Sequence, residues 1–76
     1  MTWEELKEKA KELRYTYIKE RGVEQVYKDF VGCRINFIIT SGNVVIDIPF
    51  YEITYSGILC EHISADKMYQ IMLALR

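Results

Sequence analysis

RINFIITSGNVVIDIPFY, Arg34 to Tyr51, is the stretch whose reading decides the fold. Apolar residues alternate with polar ones on both sides of Gly42-Asn43. A two-residue loop containing glycine suits the positive φ of a tight hairpin turn. A turn centred there sets Ile39 opposite Ile46, Phe37 opposite Ile48 and Ile35 opposite Phe50. Period-two geometry puts these six on one face, as the core side of a sheet. The other face carries Arg34, Asn36, Ile38 and Thr40 against Val45, Asp47, Pro49 and Tyr51. Pro49 has no amide proton to donate, so the second strand bends, bulges or lies at an edge there.

Beyond the hairpin, Ser56-Gly57 offers a second turn, pairing Tyr55 with Ile58 and Ile53 with Cys60. Before it, residues 23 to 31 fit both a helical stripe and a strand. The Val, Tyr and Phe content favours a strand from about 25 to 30.

The ends read as helices. Thr2 and Glu5 form a capping box, in which hydroxyl and carboxylate each take one of the unpaired amides of the first turn. Trp3, Leu6, Ala10, Leu13 and Tyr17 then recur at helical steps, and Gly22 suits the stop. These signals predict a first helix over about 3–21, with Glu5 and Lys9 spaced for an ion pair. Ser64 is a natural N-cap for the last helix, and Asp66 lies where its dipole favours a negative charge. The order is N-terminal helix, a three- or four-stranded antiparallel meander, C-terminal helix. That is a two-layer α+β fold in one domain spanning residues 1–76.

Composition bounds the function. Half of the 76 residues are hydrophobic, which excludes disorder. Ten basic against eleven acidic residues leave a net charge of −1, so no global field favours nucleic acid or an anionic membrane. The stripe Lys7, Lys11, Arg14 lies beside Glu4, Glu8 and Glu12, which weakens any phosphate-binding field. The longest apolar run is far short of a membrane span. Two cysteines, Cys33 and Cys60, with no apolar leader at the amino terminus, indicate a cytoplasmic chain with free thiols.

Candidate chemistry is sparse. Cys33, Cys60 and His62 supply three of the four ligands that a zinc site needs, at a spacing unlike the usual knuckles. Cys60 and His62 alone lack the third group that orients a catalytic base. The four glycines are scattered, so there is no phosphate loop, and no cofactor motif is present. The expectation is a protein that is not an enzyme.

The last helix carries a different signal. Met68, Ile71, Met72 and Leu75 form one apolar face; Tyr69 and Leu73 form much of another. One face packs on the sheet, and the second calls for a cover outside the subunit. Two-fold homodimers are the commonest oligomers, so Tyr69 and Leu73 are the expected self-association residues. Arg34, Ile38 and Tyr51 on the open sheet face are the expected contacts for a protein partner, since aromatic and Arg side chains dominate such contacts. The alternative is a homo-oligomer that binds or sequesters a small ligand such as a nucleotide, with Arg34 or the Lys7–Lys11–Arg14 stripe as anion contact.

Two stretches, MTWEELKEKAKEL (1–13) and DKMYQIMLALR (66–76), resemble the termini of small gut-bacterial proteins encoded beside phage and mobile-element genes. The resemblance covers about a third of the chain. It implies an accessory protein of a mobile element that blocks a host component or sequesters a small molecule.

Overall fold

A computed structural model describes all of residues 1–76. Helix α1 (Trp3–Glu12) is followed by strands β1 (Thr16–Glu20), β2 (Val23–Phe30), β3 (Cys33–Ile38), β4 (Asn43–Phe50) and β5 (Ile53–Cys60), then helix α2 (Ala65–Ala74). The strands form one antiparallel sheet in the order β1-β2-β3-β4-β5. The α+β meander between two helices is as the sequence predicts, with five strands rather than three or four.

The extra strand comes from the expected first helix, which stops at Glu12 rather than near 21. Arg14 takes the left-handed conformation at φ 67°. The Arg14 amide donates to the Lys11 carbonyl at 3.0 Å and the Tyr15 amide to the Ala10 carbonyl at 2.9 Å. That is the Schellman closure, here built on arginine in place of glycine. The following Tyr-Thr-Tyr-Ile run favours strand, and tertiary pairing with β2 secures it. Gly22 (φ 79°) is not the helix stop; with Arg21 (φ 52°) it forms the β1–β2 turn. Thr2 and Glu5 make the capping box as expected. Glu5 is thereby engaged at the cap, and Lys9 pairs with Glu12 at 3.8 Å instead. Residues 23–30 are strand throughout.

The central hairpin forms in a different register. Ile35 faces Ile46, Phe37 faces Val44 and Arg34 faces Asp47, with residues 39–42 as a four-residue loop. The shift from the expected pairing is four residues. Being even, it leaves every side chain on its predicted face. The loop is set by Ile63, whose amide donates to the Gly42 carbonyl at 2.9 Å. A Cβ on Gly42 would lie 2.7 Å from the Ile63 carbonyl oxygen, and φ there is 72°. Only glycine meets both conditions.

The Ser56-Gly57 turn does not form. β5 runs straight through it, and the β4–β5 turn is Tyr51-Glu52, with Phe50 opposite Ile53. A bulge opposite Val44/Val45 leaves Leu59 unpaired.

Both helices cover one face. Leu6 and Ala10 of α1, and Ala65, Met68 and Met72 of α2, pack with Val26, Ile35, Phe37 and Val44 of the sheet. Tyr15 joins them edge-on to Phe37, ring centroids 5.4 Å apart. Ser64 caps α2 through the Lys67 amide. Asp66 accepts from the Met1 ammonium at 2.7 Å, tying the start of α2 to the start of the chain. No helix is long and apolar enough to cross a membrane.

Candidate interaction surface

The helical layer does not reach the outer end of the sheet. Along β4, Val44, Ile46, Ile48 and Phe50 share the helix-side face, and β5 sets Gly57, Tyr55 and Ile53 beside the last three. Val44 is fully buried and Ile46 partly so. Exposure then rises to 44% at Ile48, 56% at Phe50 and 59% at both Ile53 and Tyr55. These four apolar side chains continue the core face outward with no helix above them.

The turn that closes this hairpin is strained. Tyr51 adopts φ 55°, a conformation that costs a non-glycine residue about 1–2 kcal/mol. Its ring stands 92% exposed and meets Phe50 edge-on at 4.5 Å. On the other face of β5, Ile58 is as exposed as Tyr55, and Leu59 at the bulge is nearly so. No strand pairs with the outer edge of β5, and no residue from Ile53 to Cys60 carries a charge.

The residues expected at contacts fall in several places. Tyr69 and Leu73 are half-buried, and Tyr69 packs against the core. Tyr69 is therefore taken up by the core, and Leu73 is half-covered within the subunit. Arg34 and Tyr51, set opposite each other by the expected register, are separated: Arg34 faces Asp47, four residues along β4 from Tyr51. At about 3.3 Å per residue that is roughly 13 Å.

Arg34 is also occupied. It forms a two-pronged pair with Asp29, Nε to Oδ1 at 2.6 Å and a terminal nitrogen to Oδ2 at 3.2 Å. Its guanidinium lies 4.1 Å from the centroid of the Tyr27 ring. The bond to Arg34 holds the Asp29 carboxyl below its ordinary range. Next to this pair, Asp47 accepts from Asn36 at 2.5 Å and from Ser56 at 2.6 Å. The open face is thus a closed set of hydrogen bonds, with Ile38 half-buried at its margin.

The basic stripe is broken up as well. Arg14 has left the helix. Lys7 is clamped between Glu24 at 2.7 Å and Glu4 at 2.8 Å. These bonds, Glu24 first, raise the Lys7 pKa, and the same contact with Tyr17's help lowers that of Glu24. Neither strong cation near a cleft is free to bind an anion. The three zinc candidates are dispersed: Cys33 opens β3, Cys60 lies opposite Val44 at the far end of the core row, and His62 is exposed in the loop beyond.

Ile48, Phe50, Ile53 and Tyr55 were not singled out by sequence as contacts. Ile48 and Phe50 read as core, and Ile53 and Tyr55 as one arm of a hairpin that does not form. The available signal was the uncharged run 53–60, once it is known to be an edge.

No protein-family model, curated protein or solved structure matches the chain.

Proposed function

We propose that this protein is a non-enzymatic protein-interaction module that docks through the outer half of its β4–β5 hairpin. The observation that supports it is the apolar continuation of the core face across Ile48, Phe50, Ile53 and Tyr55, left bare by the helices. Leaving them about half exposed forgoes roughly half of the 1.5–3 kcal/mol that full burial of each contributes, a large quantity for a domain this small. Exposed apolar patches of this extent mark contact sites. As an accessory or inhibitor-type protein of a mobile element, the reading that its termini suggest, it would act by occupying a surface of its partner.

Photo-crosslinking tests this directly. A benzoylphenylalanine replacing Ile53 is expected to give protein adducts in cells, while the same group replacing Glu20, on the opposite edge, gives none. An absence of adducts at position 53, with folding intact by circular dichroism, overturns the proposal.

A further inference from the structure

We infer that the occupant of the hairpin is a second copy of this chain, joined through antiparallel pairing of β5 with β5 across a two-fold axis. This rests on the docking role proposed for the hairpin and names its partner.

The free edge comes first. Edge strands present unpaired amides and carbonyls, and monomeric proteins blunt them with charges, prolines or brevity. β5 has none of these three over eight residues, ITYSGILC, and its one bulge, at Leu59, lies near the end of the strand. The opposite edge, β1, is five residues long and carries Lys19 and Glu20.

Charge then selects the partner. In a two-fold antiparallel pair each residue meets its own strand's sequence reversed, so an ionic strand confronts like charges near the axis. β5 is uncharged throughout, so no like charges meet near the axis; Glu52 and Glu61 flank it beyond the two ends. A partner chosen by charge has nothing on this strand to recognise.

The area is that of a small interface. Ile53, Tyr55, Ile58 and Leu59 of β5 are each 55% exposed or more. At about half of the 150–250 Å² of a large side chain each, they offer roughly 400 Å² on the pairing strand itself. A standard interface removes about 800 Å² per partner and transient ones less, which fits a dimer that dissociates on dilution.

A two-fold axis normal to the sheet is the operation that pairs antiparallel edges while keeping both helical layers on one side. The product is a continuous ten-stranded sheet. Ile53 and Tyr55 of one copy then lie beside β5 of the other, on the same face.

Sedimentation of the full chain, with hydrogen exchange read at β5, is the test. A concentration-dependent dimer is expected below about 100 µM, with residues 53–60 gaining protection as it forms. Tyr55→Lys should raise the dissociation constant at least tenfold with an unchanged circular dichroism spectrum, while Leu73→Glu on α2 should change it less than threefold. A monomer at that concentration, or a dimer dissociated by Leu73→Glu and insensitive to Tyr55→Lys, overturns the inference. Adducts of position 53 with a different protein, from a chain that sediments as a monomer, would remove self-pairing and leave the docking role standing. No adducts and no dimer remove both.

Discussion

The two edges of the sheet are built differently. β1 is short, and its Tyr17 hydroxyl and the Lys7 ammonium both bond Glu24 on the neighbouring strand, so α1, β1 and β2 are sewn together by one carboxylate. β5 is long and uncharged, lies beyond the helices, and is linked to the rest through β4 and through one side-chain bond from Ser56 to Asp47. Both edges hold apolar residues, so hydrophobicity does not separate them. Helix coverage and charge do. A strand under a helix can afford an aromatic such as Tyr17, because neighbouring groups use its polar end. A strand outside that cover leaves apolar side chains on both faces in contact with water.

The largest break in this comparison is expected from truncating equivalent aromatics. Phe37 is fully buried under the helices. Phe37→Ala should cost about 3–5 kcal/mol, enough to unfold most of the population of so small a domain. Phe50→Ala, at the bare end, should alter the stability of the dilute monomer by no more than about 0.5 kcal/mol. Urea denaturation at low micromolar concentration reads both. Equal losses would mean that the hairpin is part of the core.

Two glycines sharpen the same contrast. Gly42→Ala should destabilise by more than about 2 kcal/mol, since a left-handed backbone and a 2.7 Å clash with Ile63 add together. Gly22→Ala, with a similar φ and open space around it, should cost only the conformational part, about 1–2 kcal/mol. At the bare end the sign reverses. Tyr51→Gly should stabilise the hairpin by about 1 kcal/mol by relieving its left-handed backbone, and should do so in the monomer.

A buried hydroxyl gives an effect of similar size inside the covered half. The Tyr15 hydroxyl is buried without a hydrogen-bond partner in the chain. Tyr15→Phe should raise stability by about 1 kcal/mol, the order of the penalty for an unsatisfied hydroxyl. Burial also pushes the Tyr15 pKa above its ordinary value of 10.0. A raised value means that the folded state holds the proton more tightly. The resulting stability is complete below pH 10 and declines as the unfolded chain ionises above it. The variant should lose that part of the alkaline decline.

The smallest effect belongs to the β1 edge. Lys7 and Tyr17 lower the Glu24 pKa from its ordinary 4.5. The contribution is present above that value and is lost as pH falls through the lower, folded one. The β1 edge should therefore loosen as pH falls below 4.5, and amide exchange at Ile18 reads the change. Glu24→Gln should remove the acid dependence at Ile18.

Much of the architecture was legible in the chain. The capping box at Thr2 and Glu5, the Ser64 cap and the facing of side chains through 34–50 act over a few residues, and the structure has each of them; the same alternation places Ile48 and Phe50 in the core, where they are not. The faces of the central hairpin survived a wrong register because the error was even. The misreadings share a cause. Tyr17 fits a helical step and a strand equally, and pairing with β2 decides for the strand. Gly42 reads as the centre of a tight turn, but contact with Ile63, twenty-one residues on, makes it the end of a wider loop. Ser56-Gly57 has turn composition, yet β4 beside it keeps it extended. For the candidate surface, the apolar excess was visible and its address was not. Tyr69 and Leu73 look surplus on a helical wheel, and packing within the subunit half-buries both.

What the sequence determined by itself was local: where helices start, which residues face the same way, and that the chain holds more apolar surface than its size easily buries. Which of that surface stays bare was decided only by the packing of two ten-residue helices on a five-stranded sheet. At about 1.5 Å per residue a ten-residue helix is some 15 Å long, and helices this short cannot cover every strand to its end. The outer half of the β4–β5 hairpin is what they leave bare.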